Sequence, residues 1–257
     1  MSSLLRRPVA LSVAAALLVG WGLPAQADWS PGDGFKMHYP QLPNPNGWDV
    51  NFTKLTLADD WLCTGSGPIC DVHLWFSWRR DSLATITNVH LSIHSDVPDP
   101  DGAGPRYSQP GAELWSRDIS PSQYLVRLYS FGPQGYYDPS VPIVEPPPNH
   151  FGVFQMNIEG ISNPFTQQVG TIYWLDVRMD LLPGAPPDYA AGWKTSLDHW
   201  NDDAVWWDAQ AGMWRELRDP LTGQSLDLAF VVVPEPGTAV LALVGAGLGL
   251  LVVRRRR

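Results

Sequence analysis

The chain predicts an all-β fold, an antiparallel β-sandwich or jelly roll, flanked by an N-terminal signal peptide and a C-terminal transmembrane helix. Three observations lead there. Apolar residues in the middle of the chain alternate with polar ones at a period of two. Connectors rich in proline and glycine recur between those stretches. Both ends are apolar runs with arginines on one flank, unlike anything between them.

Residues 1–27 contain no acid. They carry Arg6 and Arg7, an apolar run from Val9 to Leu23, and the small-x-small ending Ala25-Gln26-Ala27. This is the pattern of a secretory signal peptide cut between Ala27 and Asp28. From there to residue 233 the sequence is read as one secreted domain. Val72, Leu74, Phe76 and Trp78 alternate with Asp71, His73, Trp75 and Ser77, and Val89, Leu91 and Ile93 alternate with His90, Ser92 and His94. Each set reads as a strand with one buried face. Ser122 to Phe131, Phe151 to Ile158, Thr171 to Leu182 and Ser225 to Val233 read as further strands. Pro98 to Pro105, Gly132 to Gly135, Pro146 to Pro148 and Pro183 to Pro187 read as the turns and connectors between them. No segment sustains a helical period.

The 17 Lys and Arg residues, less the six arginines at the ends, leave 11 bases against 26 acids between Asp28 and Pro236, a formal charge of −15. So negative a surface repels phosphate backbones, which excludes nucleic acid as a partner. The only two cysteines, Cys63 and Cys70, enclose a turn-rich segment and reach an oxidising compartment after export. They are expected to form a disulfide, worth about 2.5 kcal/mol for so short a loop. A reactive or metal-binding thiol pair is the competing reading, and no further cysteine completes a zinc site.

Twelve of the 13 tryptophans follow the signal peptide. Trp200, Trp206, Trp207 and Trp214 fall within one short segment beside Asp202, Asp203 and Asp208. Exposed indoles stack on the apolar faces of sugar rings and carboxylates accept hydroxyl hydrogens, so the four are candidates for glycan stacking. Core or loop packing is the bland reading of the same cluster and the preferred one. The turn Asp96 to Gly102 invites a calcium reading, with Asp59-Asp60 and Asp202-Asp203 as further oxygen pairs that could meet in space. An EF-hand is excluded, because Val97 and Ser108 would fall at its first and last ligand positions, and a solvated turn competes. No metal and no cofactor is assigned. His90 and His94 share a strand face and could join His73 as ligands, but exposed polar positions of a half-buried strand are the preferred explanation. Glu113, Glu159 and Glu216 are acids that no local pattern selects as a hydrolase pair. No nucleophile elbow, zinc-protease helix or phosphate loop occurs, so the domain is expected not to be an enzyme.

The C-terminus reads Pro234-Glu235-Pro236, then an apolar run from Gly237 to Val253, then Arg254 to Arg257. The prolines keep the motif out of the following helix. The run spans roughly 25 Å as a helix, and the arginines hold its end in the cytoplasm. This three-part tail resembles the PEP-CTERM protein-sorting signal. The resemblance implies recognition by an exosortase, a transient single-pass anchor, and cutting near residues 234–236. It also implies a destination at the cell surface or extracellular matrix, in the company of exopolysaccharide and biofilm. Leu57 to Trp61, the turn Thr64 to Ile69, Asp71 to Trp75, Ile93 to Asp96 and Lys194 to Trp206 resemble, in that order, an uncharacterised family of secreted bacterial domains found ahead of such tails. That family supplies an architecture and no catalytic residues. The expected role is a non-enzymatic structural or adhesive one. A secreted carbohydrate-binding module, with exopolysaccharide or cell-surface glycans as partners, is the alternative, and a secreted hydrolase the weaker one.

Overall fold

A computed structural model of the protein describes residues 29–99, 107–186 and 188–233. The signal-peptide junction at Ala27 and Asp28, the motif Pro234-Glu235-Pro236 and the apolar run behind it lie outside the described residues. Among the described residues no helix is long and apolar enough to cross a membrane. Strand makes up 57% of the structure and helix 2%, packed as a sandwich-like fold, so the all-β expectation holds.

Among the described residues fourteen strands follow in chain order: β1 (Trp48–Asn51), β2 (Leu57–Leu62), β3 (Gly67–Pro68), β4 (Asp71–Trp78), β5 (Ile86–Val97), β6 (Gln109–Ile119), β7 (Tyr124–Asp138), β8 (Ile143–Ile158), β9 (Thr166–Gln167), β10 (Ile172–Leu181), β11 (Ala191–Lys194), β12 (Val205–Asp208), β13 (Met213–Glu216) and β14 (Phe230–Val233). The first sheet has the order β11-β1-β7-β8-β4-β14, and β11 also pairs with β4. Strands β1, β7, β8, β4 and β11 therefore close a ring. The β1–β7 pair is parallel, and the other pairings of this sheet are antiparallel. The second sheet, β13-β12-β2-β10-β5-β6, is antiparallel throughout, and β3 and β9 form a two-stranded ribbon.

Aromatic side chains tie the sheets together. Trp61 of the second sheet meets Phe230 of the first at 6.1 Å between ring centroids. From there Trp193, Phe52 and Phe76 continue the contacts through the first sheet at 6.2 to 6.4 Å. Each ring is fully buried, so removing apolar area from water is the main force joining the layers.

Two expectations change. Strand β4 was expected to bury one face, yet all eight of its residues are buried. The second face is covered by the N-terminal segment, where Trp29 packs edge-to-face on Trp75 at 6.0 Å. The Trp29 carbonyl accepts bonds from Gln155 and Arg127 at 2.9 and 3.1 Å, which fix that cover. Gly132 to Gly135 and Pro146 to Pro148 are not connectors either. They lie inside β7 and β8, where register shifts between Phe131 and Tyr136 absorb residues that cannot keep a regular ladder. Gly135 is required there, because a Cβ would stand 2.8 Å from the Trp48 ring and 2.9 Å from Pro147.

Candidate functional site

The acidic and aromatic segment converges on the second sheet, at the end where residues 196–204 lead from β11 into β12. The polar groups of this connector reach several distant parts of the chain. Asp198 accepts the Leu42 amide at 3.3 Å, and the Trp200 amide donates to Asp227 at 2.8 Å. Asn201 adopts a left-handed φ of 59° and donates to Asp60 on β2 at 2.6 Å. Asp202 accepts the Ser108 amide at 3.0 Å, and Asp203 takes the Ser225 hydroxyl and lies 3.0 Å from Arg218. The neighbouring Asp59 accepts the Leu228 amide at 2.6 Å, joining β2 to the segment that enters β14. These carboxylates are anchors for backbone and side-chain donors.

Crowding several carboxylates into a dry corner raises their affinity for protons. Burial pushes Asp60 up to about 8 and Asp59 well above the usual carboxylate range, and Asp203 and Asp227 rise to about 6 for the same first reason. The Asp227 and Asp60 charges reinforce the effect on Asp59. His38, stacked on Trp200 at 4.4 Å, is lowered to about 4 by burial and is neutral. Asn201 ties the connector that carries Asp202 and Asp203 to β2, with its side-chain amide on Asp60 and on the Ser108 hydroxyl. Among the described residues, however, no three acids, histidines or cysteines converge to hold a metal ion. Asp96, the first acid of the suspected calcium turn, receives the Trp174 indole N–H at 2.8 Å. Pro100 to Arg106 of that turn lie outside the described residues.

The four candidate tryptophans separate into three environments. Trp207 and Trp214 are direct cross-strand partners with ring centroids 5.3 Å apart, and Trp207 is 37% exposed. Trp206 points to the other face of β12 and packs on the main core. Trp200 lies on His38. The nearby acids expected to receive sugar hydroxyls are already engaged: Asp208 accepts the Gln210 and Ala211 amides at 3.0 Å and the Arg215 guanidinium at 2.6 Å.

Other candidates fall elsewhere. The expected disulfide is not formed: Cys63 and Cys70 are buried thiols. The Cys63 backbone is bonded to Gly170 and Thr171 and that of Cys70 to Ile161, so the loop is closed by main-chain bonds to different neighbours. His73 belongs to the first sheet and bonds Asn157, whereas His90 and His94 lie on β5, bonded to Asp118 and Asp176, so the three histidines do not meet. Glu113 and Glu216 sit on β6 and β13, the opposite edges of the second sheet. What sequence reading missed is a recess of about 240 Å³ beside Arg79, lined by Asn51, Thr53, Tyr136, Asp138 and Tyr189. Its cation is spent internally, because Glu145 takes Arg79 at 2.8 and 2.5 Å and also pairs with Arg80.

An all-β domain whose described polar residues tie loops to sheets is the class these features define. Residues 37–233 match the domain of unknown function DUF7901, and the chain belongs to that family. Residues 232–257 match the PEP-CTERM protein-sorting motif. It is thus an exported protein with a C-terminal membrane anchor that an exosortase later processes. Neither a curated protein nor a solved structure matches the chain.

Proposed function

We propose that the domain is a non-enzymatic structural or adhesive component of the cell surface or extracellular matrix, acting alongside exopolysaccharide in biofilm. One observation carries the adhesive part. Residues 124–131 of β7 pair with β8 on one side only among the described residues, and Val126, Leu128 and Phe131, which the register places on one face of this edge, are 40, 59 and 74% exposed. Phe131 stacks on Phe151 at 5.5 Å, which extends the apolar strip onto β8. An unpaired strand edge with contiguous apolar side chains favours contact with another surface, and exosortase sorting delivers the domain to where such surfaces are. Cells producing the Leu128→Lys, Phe131→Ser double variant should export and process the protein normally but retain much less of it in the matrix. Equal retention of variant and wild type refutes the adhesive reading.

The Trp207–Trp214 pair favours a second reading, glycan binding. An exposed indole held by its cross-strand neighbour is a rigid platform for a sugar ring. A glycan array with wild type and Trp207→Ala tests it, and binding that survives the substitution rejects this platform.

A further inference from the structure

Within the ring of the first sheet, Lys194 of β11 and Asp49 of β1 are direct cross-strand partners. Both side chains are fully buried, with Lys194 Nζ 3.1 Å from Asp49 Oδ2. Nζ also donates to the Gly47 carbonyl at 2.7 Å and to Gln134 Oε1. His150 Nε2, equally buried, lies 3.0 Å from the same Asp49 Oδ2. The other carboxylate oxygen, Asp49 Oδ1, has no hydrogen-bond partner among the described residues. An ammonium and a carboxylate held out of water are costly, more so when one oxygen is unsatisfied. Burial lowers the proton affinity of Lys194. Passing one proton from Nζ to the carboxylate turns the ion pair into an amine beside a carboxylic acid, with no net charge to bury.

We propose that Lys194 and Asp49 condense into an intramolecular amide that covalently joins β11 to β1. The neutral amine attacks Asp49 Cγ, and the Nζ–Cγ bond forms as electrons move onto Oδ1. Oδ2, the oxygen within reach of Nζ, carries the proton that Nζ released. His150 donates from Nδ1 to the Asn149 side-chain oxygen at 2.9 Å, which leaves Nε2 as an acceptor 3.0 Å from Oδ2. Through Nε2 a second proton passes from Nζ to Oδ2, the Cγ–Oδ2 bond breaks, and Oδ2 leaves with both protons as a single water. Oδ1 becomes the amide carbonyl oxygen, so amine plus acid gives amide plus water, and no oxidant or nucleotide is consumed. The geometry favours this partition of the oxygens, because only Oδ2 lies within reach of both Nζ and His150, and the amide N–H keeps an acceptor in Gly47 or Gln134. Two buried charges disappear, and the fold holds the reacting groups at a separation that free amine and acid rarely share in solution.

The test is a mass measurement on the full chain purified from its cells, after its termini are assigned. The denatured protein should be lighter than its residues require by one water. Trypsin should yield a single branched peptide containing Asp49 and Lys194, with no cleavage after Lys194. Lys194→Arg should regain the lost water, and His150→Gln should leave a larger uncondensed fraction in freshly made protein. Separate Asp49 and Lys194 peptides from natively folded wild type overturn the proposal, whatever the variants do. A branch at Gln134 with loss of ammonia overturns it too.

Discussion

Asp60→Asn is the sharpest test of how the acidic corner is held. Asp60 is fully buried, its Oδ2 takes the Asn201 amide at 2.6 Å, and its Oδ1 has no partner among the described residues. Burial raises it to about 8, with the charges of Asp227, Asp96 and Asp202 adding to the rise. An unfolded aspartate titrates near 3.9, so between about pH 4 and pH 8 the folded chain holds a proton that the unfolded chain has lost. Stability therefore falls as pH rises through that window. A shift of about four units at 1.36 kcal/mol each is worth about 5 kcal/mol in full. Asp203 and Asp227, raised to about 6, act with the same sign up to about pH 6. Glu145, held down to about 2 first by its bond from Arg79, acts the other way, since its contribution is present above about pH 4 and lost toward pH 2. The pH range 6 to 8 is thus clear of Asp203, Asp227 and Glu145; Asp59, raised well above the usual range, acts there in variant and wild type alike, so the difference between the two profiles isolates the Asp60 contribution, at about 2.7 kcal/mol. Asparagine carries no titrating proton, but it leaves a buried N–H unsatisfied at the Oδ1 position, a pH-independent cost of about 1–3 kcal/mol. The variant should be less stable than wild type at pH 4.5 and more stable at pH 8, with the two profiles crossing between. Urea unfolding at four pH values measures this. Parallel profiles would show that Asp60 is ionised in the folded protein and refute the reasoning.

Other substitutions separate packing from display. Trp206→Ala should cost about 2–3 kcal/mol in the same unfolding curves and Trp207→Ala less than about 1, because only the first packs on the main core. Glu145→Gln should cost about 3 kcal/mol by leaving the buried Arg79 guanidinium half paired. Asp188→Asn, whose exposed carboxylate is 3.6 Å from Arg79, should shift the midpoint by less than about 0.5 kcal/mol. Thiol titration should find two equivalents after denaturation and slow reaction before it; no thiol in the denatured protein would show that Cys63 and Cys70 are bridged after all.

Period-two patterning located β4, β5, β10 and much of β7 and β8, because each carries an uninterrupted alternation long enough to stand out. It missed β2, in which Asp59 and Asp60 break the apolar run. Those carboxylates are tolerated inside only because Leu228, Asn201 and their neighbours supply donors from distant parts of the chain. It missed β6, an edge strand with few buried positions, and the four-residue strands β1, β11, β12 and β13, too short to show a period at all. The double burial of β4 was hidden for a different reason: the covering residue, Trp29, lies far away in sequence and looks like part of a loose N-terminal segment.

The same limit explains the two candidate sites. Tryptophans beside aspartates suggested a ligand platform, since local composition shows which groups are near but not which way they face. Strand alternation sends Trp206 inward and Trp207 outward, and the carboxylates turn back toward main-chain amides. Conversely, Lys194, one of only three lysines in the chain, has no acid beside it in sequence, so no local pattern marks it. Its chemistry exists only because closure of the ring brings β1, β7, β8 and β11 around one buried amine. In a domain rich in surface acids, the consequential carboxylates are thus the few that topology removes from water. Asp60 meets that condition by keeping a proton, and Asp49 by facing a group with which it can react.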